Sequence, residues 1–353
     1  MNLTDAPSGP AAVIILAAGQ GTRMRSEVPK VLHRLGGLAM IGHALRAAHA
    51  LHPGRIVAVV RHQRDLVAAE VLRLCPEALI ADQDEVPGTG RAVQCGLRAL
   101  SGAGAEPASR GGTVLVTSGD VPLLGADTLR RLVELHDRGR HAVSLVTTIA
   151  PDPAGYGRIV RDAATGSPAA IVEQRDATPA QRAITEVNAG IYAFDAAFLG
   201  RALTEVGRSN DQGEVYLTDV VAAAVEAGRS VGALALDDPW EAAGCNDRLQ
   251  LAQLAAELNR RTCAAHMRAG VTIVDPASTW IDVDVRIGRD TTVHPGTCLR
   301  GATRVGPRCE IGPMTTLTDV EVGEGSTLPA TWGAGTRVPA DTMGEPFGVI
   351  GRN

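Results

Sequence analysis

The chain has 353 residues, 45% of them hydrophobic and 21% charged, which is enough apolar material for two domains. Its 34 basic and 39 acidic residues give a net charge of −5, which excludes a generally basic nucleic-acid-binding surface. A polyanion would therefore have to be bound by a few cations concentrated in one cleft. No stretch approaches the ~20 apolar residues of a membrane span. The six cysteines contain no C-x-x-C pair, so we expect a cytoplasmic protein with reduced thiols, no signal peptide and no membrane partner.

The first two-thirds of the chain alternates strand-like and helical segments. Short β-branched runs predict strands over Ala12–Leu16, Arg55–Val60, Thr113–Thr117, Ala142–Thr147 and Ala189–Phe194. Apolar spacing predicts helices between them, including Ile41–Leu51, Arg64–Leu74 and Arg91–Leu100. This alternation predicts an α/β fold, a Rossmann-like, doubly wound and mostly parallel sheet. Such sheets bind ligands at the carboxyl ends of their strands, so the loops after Leu16 and Thr117 are the candidate site.

The last third of the chain has a different pattern. After a helical connector predicted over residues 246–270, aliphatic residues recur at intervals of six without a miss: Ile281, Ile287, Val293, Leu299, Val305, Ile311 and Leu317. This period predicts a short left-handed parallel β-helix, in which each aliphatic side chain joins a stacked core. The phase falters after Leu317, and Gly344–Asn353 is expected to form an irregular tail. The predicted domains are residues 1–245, 246–270 and 271–353.

A glycine-rich loop follows the first predicted strand. Leu16-Ala17-Ala18-Gly19-Gln20-Gly21-Thr22-Arg23-Met24 precedes Pro29-Lys30, and Lys30 is the single lysine among the 34 basic residues. Glycine-rich turns between a strand and a helix present backbone N–H groups to anions. A dinucleotide fingerprint fails because Met24 replaces its third glycine, and a Walker loop fails because no Gly-Lys-Ser/Thr follows. A purely structural turn remains open for the glycines, but it does not explain the clustering of Arg23, Arg25 and Lys30.

With these residues the sequence resembles the sugar-1-phosphate nucleotidyltransferases. It is most similar to the family of bifunctional N-acetylglucosamine-1-phosphate uridylyltransferases/glucosamine-1-phosphate acetyltransferases. The resemblance runs from about Ala12 to Leu317. Its supporting motifs are Gly88-Thr89-Gly90, Ser118-Gly119-Asp120-Val121-Pro122-Leu123, Gly155-Tyr156-Gly157-Arg158-Ile159, Ile171-Val172-Glu173, Glu186-Val187-Asn188-Ala189-Gly190, Gln212-Gly213-Glu214, Tyr216-Leu217-Thr218-Asp219 and Asn246-Asp247-Arg248-Leu249-Gln250-Leu251.

The resemblance implies that a sugar phosphate oxygen attacks the α-phosphorus of a nucleoside triphosphate and displaces pyrophosphate. Arg23 and Lys30 would be the catalytic cations, whereas Arg25 is interpreted as an exposed surface residue. The nucleotide would be bound by Leu16, Ala17, Ala18, Gly19, Gly21, Thr22, Gln83, Gly88 and Thr89. Gln83 would pair with the edge of a pyrimidine.

The resemblance also implies a magnesium ion and a sugar subsite. Asp120 and Asn246 would hold Mg²⁺, a cation that prefers a few oxygen ligands and keeps several waters; from its residues alone, Asn246 would be a helix N-cap. The sugar would contact Ser118, Gly119, Gly157, Glu173 and Asn188. Taken singly, the turn glycine, the glutamate and the strand-edge asparagine of this set are also open to structural interpretations.

Two departures from the family bear on function. Pro87 and Arg91 replace the usual residues beside Gly88-Thr89-Gly90, and Arg91 is expected to add a cation on the triphosphate side. The family's acetyltransferase region has no counterpart here, so we expect no acetyl transfer. We predict a Mg²⁺-dependent uridylyltransferase that forms UDP-N-acetylglucosamine, and a homotrimer through its β-helix is a further expectation. Two alternatives stay open: a paralogue using another nucleoside triphosphate with another sugar or cyclitol phosphate, and a non-catalytic scaffold.

Overall fold

A computed structural model describes residues 9–104, 112–207 and 213–351 of the chain. It divides into two compact units, one holding the chain up to His33 together with Met40–Asp247, the other holding Arg34–Ala39 and the chain from Arg248 onward. Gln212 of the motifs above, and Arg352 and Asn353 of the predicted tail, lie outside the described residues. Of the helices in the described ranges, none has the length and apolar composition needed to cross a lipid bilayer.

The first unit is an α/β structure. In chain order, with the β2–β3 hairpin belonging to the second unit, the elements are β1 (Ala12–Ala17), β2 (Arg34–Leu35), β3 (Leu38–Ala39), α1 (Met40–His49), β4 (Ile56–Val60), α2 (Arg64–Leu74), β5 (Leu79–Asp82), α3 (Thr89–Gly102), β6 (Thr113–Ser118), α4 (Ala126–Gly139), β7 (Val143–Ile149), β8 (Arg158–Arg161), β9 (Pro168–Val172), α5 (Pro179–Arg182), β10 (Glu186–Asp195), α6 (Ala196–Glu205), α7 (Asp219–Glu226) and β11 (Val231–Ala235). The predicted strands and helices of this region are all present, with ends shifted by a few residues.

The sheet of the first unit has the strand order β11-β7-β10-β6-β1-β4-β5. β1 is parallel to both β4 and β6, with Leu16 opposite Val59 and Ser118. β10 runs antiparallel to β6 and β7, and the β8–β9 hairpin extends from it. The predicted α/β class with a mostly parallel sheet is confirmed. The sheet core consists of β-branched and aliphatic side chains such as Ile14, Val57 and Val116, which are 0% exposed.

A small polar cluster is buried between α4 and β7 on this sheet. The imidazoles of His136 and His141 both hydrogen-bond the Ser144 hydroxyl, at 3.2 and 2.9 Å from Nδ1 to Oγ. His136 is only 4% exposed, and burial lowers its pKa from 6.5 to about 4 despite the nearby carboxylates of Asp137 and Asp195. Burial also lowers the pKa of His141. Both imidazoles are therefore held neutral near pH 7.

We predict that this cluster makes the first unit lose stability in mild acid. The pKa of His136 is 6.5 in the unfolded chain and about 4 in the folded chain, so only the unfolded chain is protonated between these values. The free energy of unfolding therefore has its full value above pH 6.5 and decreases as the pH falls from 6.5 to 4. The loss should reach about 2 kcal/mol at pH 5, at roughly 1.4 kcal/mol per pKa unit. Denaturant unfolding at pH 7.5 and 5 measures it. His136→Gln should reduce this dependence, whereas His49→Gln, at a 65% exposed side chain, should leave it intact; an unchanged dependence in His136→Gln would contradict the assignment.

The second unit consists of a long helix and a β-helix. Its elements are α8 (Arg248–Arg268), β12 (Thr272–Ile273), β13 (Trp280–Ile281), β14 (Arg286–Ile287), β15 (Thr292–Val293), β16 (Cys298–Arg300), β17 (Arg304–Val305), β18 (Glu310–Ile311), β19 (Thr316–Thr318), β20 (Glu321–Val322), β21 (Thr327–Leu328), β22 (Trp332–Ala334), β23 (Arg337–Val338) and β24 (Val349–Gly351). These short strands stack as three parallel sheets, β12-β15-β18-β21, β13-β16-β19-β22-β24 and β14-β17-β20-β23. The left-handed parallel β-helix is confirmed.

Each predicted aliphatic residue of the six-residue period lies in one of these strands. All are buried except Ile287, which is partly buried against the same core. A second buried position precedes each aliphatic by two residues and is small, as at Thr291, Thr303 and Thr315, all 0% exposed. Their hydroxyls donate to backbone carbonyls across the coils, for example from Thr315 Oγ1 to Leu328 O at 2.8 Å. The hydroxyls of Thr291, Thr303 and Thr315 are thereby satisfied internally, as buried polar groups require; the Thr297 hydroxyl, at the equivalent position before Leu299, is buried without a partner among the described residues.

The prediction of an irregular tail is wrong for part of its range. The spacing from Leu317 to the next core residue, Val322, is five instead of six, which breaks the sequence period without ending the β-helix. The strands continue through β23, and β24 then pairs in parallel with β22, placing Ile350 opposite Gly333. The six-residue spacing of the sequence is lost here because one corner of the coil is a residue shorter. The coils still stack, since Val322 lies opposite Val305 on the preceding coil.

Candidate functional site

The loops after β1, β4, β5 and β6 open at one edge of the sheet, because these strands are parallel neighbours. They surround a cavity of about 370 Å³ within the first unit. Its lining residues are Leu16, Ala17, Ala18, Gly19, Gln20, Lys30, Val31, Arg61, His62, Gln83, Pro87, Gly88, Thr89, Ala92, Ser118, Asp120 and Glu214. The position agrees with the general location of ligands in open α/β sheets.

The structure brings most of the predicted nucleotide residues together in this cavity. The lining includes the predicted residues Leu16, Ala17, Ala18, Gly19, Gln83, Gly88, Thr89, Lys30, Ser118 and Asp120. Gly21, Thr22 and Arg23 follow in the same loop but are not among the lining residues, and the Arg23 side chain is exposed. Gly119, Gly157, Glu173, Asn188 and Asn246 also lie outside the lining.

The centre of the site is a cation held by two oxygens. The Lys30 ammonium forms an ion pair with Asp120 Oδ2 and lies 3.5 Å from Asn246 Oδ1. Ser118 Oγ donates to the other Asp120 oxygen at 2.5 Å. The backbone N–H of Cys245 donates to the Asp120 carbonyl at 2.9 Å, which brings the segment containing Asn246 back to the end of β6. Residues more than 200 positions apart thus meet around one positive charge.

The glycine loop gives Lys30 its path to this centre. Gly21 has φ +65°, a left-handed conformation that favours glycine. A Cβ at Gly21 would lie 2.6 Å from Lys30 Cβ, so the lysine stem passes where any other residue would place a side chain. The following 3₁₀ turn, Thr22–Met24, buries Met24. The two sequence features of the loop, its second glycine and the later lysine, therefore form one packed unit.

A second part of the wall is formed by residues 83–91, which comprise the loop after β5 and the first turn of α3 and are called the 83–91 loop below. Gln83 Nε2 donates to the carbonyls of Val86 and Gly88 at 3.1 and 3.2 Å. Gly88 has φ +115°, and a Cβ there would lie 2.3 Å from Val215 O. The loop is tied to the 215–217 segment by Gly90 N to Val215 O at 2.9 Å. Gln83 is thus ordered by its own loop, with its amide oxygen left as an acceptor for a ligand.

The predicted sugar residues form a neighbouring group. Asn188 N donates to Gly157 O at 2.9 Å, and a Cβ at Gly157 would lie 3.4 Å from Glu173 Oε1. Thr218 Oγ1 donates to the same Glu173 oxygen at 3.2 Å. Burial raises the pKa of Glu173. Gly157, Glu173 and Asn188 are therefore brought together, and absence of a side chain at Gly157 keeps space beside the carboxylate.

Sequence reasoning missed Gln20, Arg61, His62 and Glu214 as lining residues. Arg61 and His62 directly follow β4, the parallel neighbour of β1, so the rule that placed the site after Leu16 could have found them. The expectation for Arg91 is wrong: it is not among the lining residues, and its guanidinium is bound to Asp84. A local carboxylate captures this cation before it can face a ligand.

The residues around Lys30 fit a magnesium site. A carboxylate oxygen of Asp120 and an amide oxygen of Asn246 converge on the same cation, the Lys30 ammonium, which is the donor pair a hard divalent ion prefers. Within the described residues no group of three or more His, Cys, Asp and Glu side chains could hold a metal. An ion in this position would therefore take its remaining ligands from water and substrate phosphates.

Comparisons with known proteins agree with this fold. Residues 13–186 match the MobA-like NTP transferase domain, so this part of the chain is a nucleotidyltransferase domain. The bifunctional protein GlmU of Kineococcus radiotolerans is 54% identical over 348 residues, which cover 99% of this chain and 69% of that protein. GlmU proteins of Pseudarthrobacter chlorophenolicus and Mycobacterium bovis are 53% and 52% identical over 96% of this chain and 68% of each relative. The chain belongs to the GlmU family.

Proposed function

We propose that this protein transfers a uridylyl group from UTP to N-acetylglucosamine 1-phosphate, releasing pyrophosphate and forming UDP-N-acetylglucosamine. The observation that carries the proposal is the cluster of Lys30, Asp120 and Asn246 at the edge of a cavity that also contains Gln83. It would combine a phosphate-binding cation after β1, a metal-binding oxygen pair from Asp120 after β6 and Asn246 before α8, and a base-recognition group after β5. The family assignment supports the same chemistry.

The reaction needs charge compensation more than proton transfer. A sugar phosphate is largely a dianion at pH 7, because its second pKa is about 6, so its oxygen attacks without a general base. Two anions must approach, and negative charge builds on the leaving pyrophosphate. Lys30 and Arg61, both at the cavity, would offset this charge from one side. Fixed cations in a protein cleft stabilise developing charge at little reorganisation cost.

Mg²⁺ bound to Asp120 and Asn246 would neutralise phosphate oxygens and orient the triphosphate. Lys30 would then exchange its partner, moving its ammonium from the Asp120 carboxylate to the reacting phosphates. The backbone of Ala17–Gly19 would accept the nucleotide between Lys30 and Gln83. Lysine suits this role because its charge is compact and lies on a flexible stem.

The hydrogen bonding of Gln83 favours uracil as the base of the nucleotide. Its amide nitrogen is engaged with two carbonyls of its own loop, so the amide oxygen would accept from the N3–H of uracil. Gly157, Glu173 and Asn188 would contact the sugar, where a carboxylate can accept from hydroxyl groups. Under this proposal the base would lie against the 83–91 loop and the sugar against the β8–β10 region.

A substrate panel tests the proposal. Pyrophosphate release and nucleotide-sugar formation are measured for UTP, CTP, ATP and GTP against N-acetylglucosamine, glucose and galactose 1-phosphates and a cyclitol phosphate, with and without Mg²⁺. UTP with N-acetylglucosamine 1-phosphate should turn over best and only with the metal. Preference for another pair would favour the specialised paralogue, for which Pro87 in the cavity wall is the supporting feature. No release with any acceptor would favour a scaffold.

Acetyl transfer is assayed in parallel with acetyl-coenzyme A and glucosamine 1-phosphate. The relatives are named bifunctional, whereas the expectation stated above for this chain is uridylyl transfer alone. Formation of N-acetylglucosamine 1-phosphate would overturn that expectation. It would leave the uridylyltransferase proposal unaffected, because acetyl transfer and uridylyl transfer are separate reactions with different substrates. The absence of product at enzyme concentrations that support uridylyl transfer would agree with the expectation.

Homotrimer formation through the β-helix is part of the proposal. Trp280, Trp332 and Val349 occupy one outward register of the β13-β16-β19-β22-β24 sheet and are 45%, 48% and 63% exposed. Met314 and Phe347, each two residues before a strand of that sheet, are 71% and 87% exposed. An apolar strip of this kind is typical of an association surface. Light scattering should give three chains, and a Trp332→Glu variant fewer; a monomeric wild type would contradict the proposal.

A further inference from the structure

One ion pair closes the loop that carries Gln83. Arg91 Nε lies 3.0 Å from each carboxylate oxygen of Asp84, and Arg91 Nη2 donates to Oδ2 as well. Hydrogen bonding from Arg91 lowers the pKa of Asp84 to about 2. The arginine is only 15% exposed. A forked arginine–carboxylate contact fixes direction as well as distance, which a single-point contact cannot do.

The pair joins the two ends of the loop. Asp84 directly follows Gln83, and Arg91 lies in the first turn of α3, directly after Gly88-Thr89-Gly90. Asp84 Oδ1 also accepts from Val86 N at 3.1 Å, and Val86 O in turn accepts from Gln83. The carboxylate therefore fixes the residue whose carbonyl orients the Gln83 amide.

Arg91 is itself held from the far side. Its Nη1 donates to Gln94 Oε1 at 2.8 Å, and Gln94 Nε2 donates to Leu203 O at 2.5 Å, at the end of α6. The loop is thus connected through α3 to a buried part of the sheet domain. Pro87, Gly88 and Thr89, which line the cavity, lie between the two charged residues along the chain.

We propose that Asp84 and Arg91 form a positioning pair that sets nucleobase selectivity by holding the 83–91 loop in its binding conformation. This inference rests on the proposed nucleotidyltransferase function. With the pair intact, the Gln83 amide keeps one orientation and presents its oxygen to the base. Without it, the loop gains conformational freedom that nucleotide binding must remove, and the amide loses its fixed orientation. The sugar residues Gly157, Glu173 and Asn188 make no direct hydrogen bond to either member of the pair and should be unaffected.

A double-mutant cycle tests the pair. Asp84→Asn removes the carboxylate charge with almost no change of shape, and Arg91→Gln replaces the guanidinium by a shorter neutral amide, so each substitution breaks the ion pair. Each should raise KM for UTP about tenfold and lower the kcat/KM preference for UTP over CTP by about fivefold, with KM for the sugar phosphate within about twofold of wild type. The double variant should be no worse than either single one, because residues acting as a unit are non-additive. Arg91→Lys, which keeps the charge and loses the fork, should be intermediate.

The matched control is Arg73→Gln. Arg73 makes a forked contact with Glu70 on α2, with Nε to Oε2 at 2.7 Å and Nη2 to Oε1 at 2.8 Å, and its loss should leave both KM values unchanged. Equal increases in the two KM values, additive effects in the cycle, or unchanged base preference in folded variants would overturn the proposal. Thermal unfolding identifies variants that have lost their fold. If the wild type prefers another triphosphate, the cycle is run with that nucleotide, so failure of the substrate assignment remains distinguishable from failure of the pair.

Discussion

Asp120→Asn should lower kcat by about 100-fold or more, comparable to the loss of a preorganised electrostatic group in other active sites. The substitution keeps the size of the side chain and removes its charge. The Asp120 carboxylate forms an ion pair with Lys30 and accepts a hydrogen bond from the Ser118 hydroxyl. Under the proposed mechanism it also supplies the charged ligand of Mg²⁺, so the metal would be retained only by neutral oxygens.

Kinetics and metal binding measure this loss separately. The variant should need a much higher Mg²⁺ concentration for half-maximal rate, and calorimetry with Mn²⁺ alone should show weakened binding. Asp127→Asn is the matched control, since Asp127 is a 92% exposed carboxylate paired with Arg130 in the first turn of α4. A rate within threefold of wild type, on the order of 0.6 kcal/mol, would contradict the role given to Asp120, as would an unchanged metal requirement.

The accuracy of sequence reasoning differed between the two units for a physical reason. In the β-helix every coil repeats the same inward positions, so Ile281 to Leu317 reveal the fold by period alone. In the sheet unit, a β-branched run predicts a strand without its direction, and β10 proved antiparallel to its neighbours. The short β8 and β9 strands were missed because their apolar runs are brief and follow glycine-rich loops.

The candidate site was predictable where residues are local and much less so where they are distant. The end of β1 and the end of β6 follow from the rule for parallel sheets. The approach of Asn246 to Lys30 depends on the chain returning after β11, which no spacing encodes; only the family resemblance indicated it. For Arg91 the prediction failed although the deciding contact is local. Its partner Asp84 is only seven residues away, and the ion pair with Asp84 determines where the guanidinium lies.

Lys30→Arg is the second change with a large expected effect. All basic residues of this chain except Lys30 are arginines. The Lys30 ammonium lies between the side-chain oxygens of Asp120 and Asn246. Its stem passes Gly21 at a distance that leaves no room for a Cβ on that glycine. A planar guanidinium is wider than an ammonium and presents its donors in a fixed fork. It would engage Asp120 in a two-point contact instead of turning from the carboxylate to the phosphates.

Turnover of Lys30→Arg should therefore fall about tenfold or more although the charge is unchanged, equivalent to about 1.4 kcal/mol of transition-state stabilisation. Steady-state rates at saturating UTP and sugar phosphate measure the effect, and thermal unfolding checks that the variant is folded. Arg25→Lys is the reciprocal control: Arg25 is exposed in the same loop, and exchanging its cation should leave the rate unchanged. Wild-type turnover in Lys30→Arg would mean that position 30 requires only a positive charge. A loss confined to Lys30→Arg would instead show that the retained lysine reflects the shape of the site, because both variants preserve the net charge of the loop.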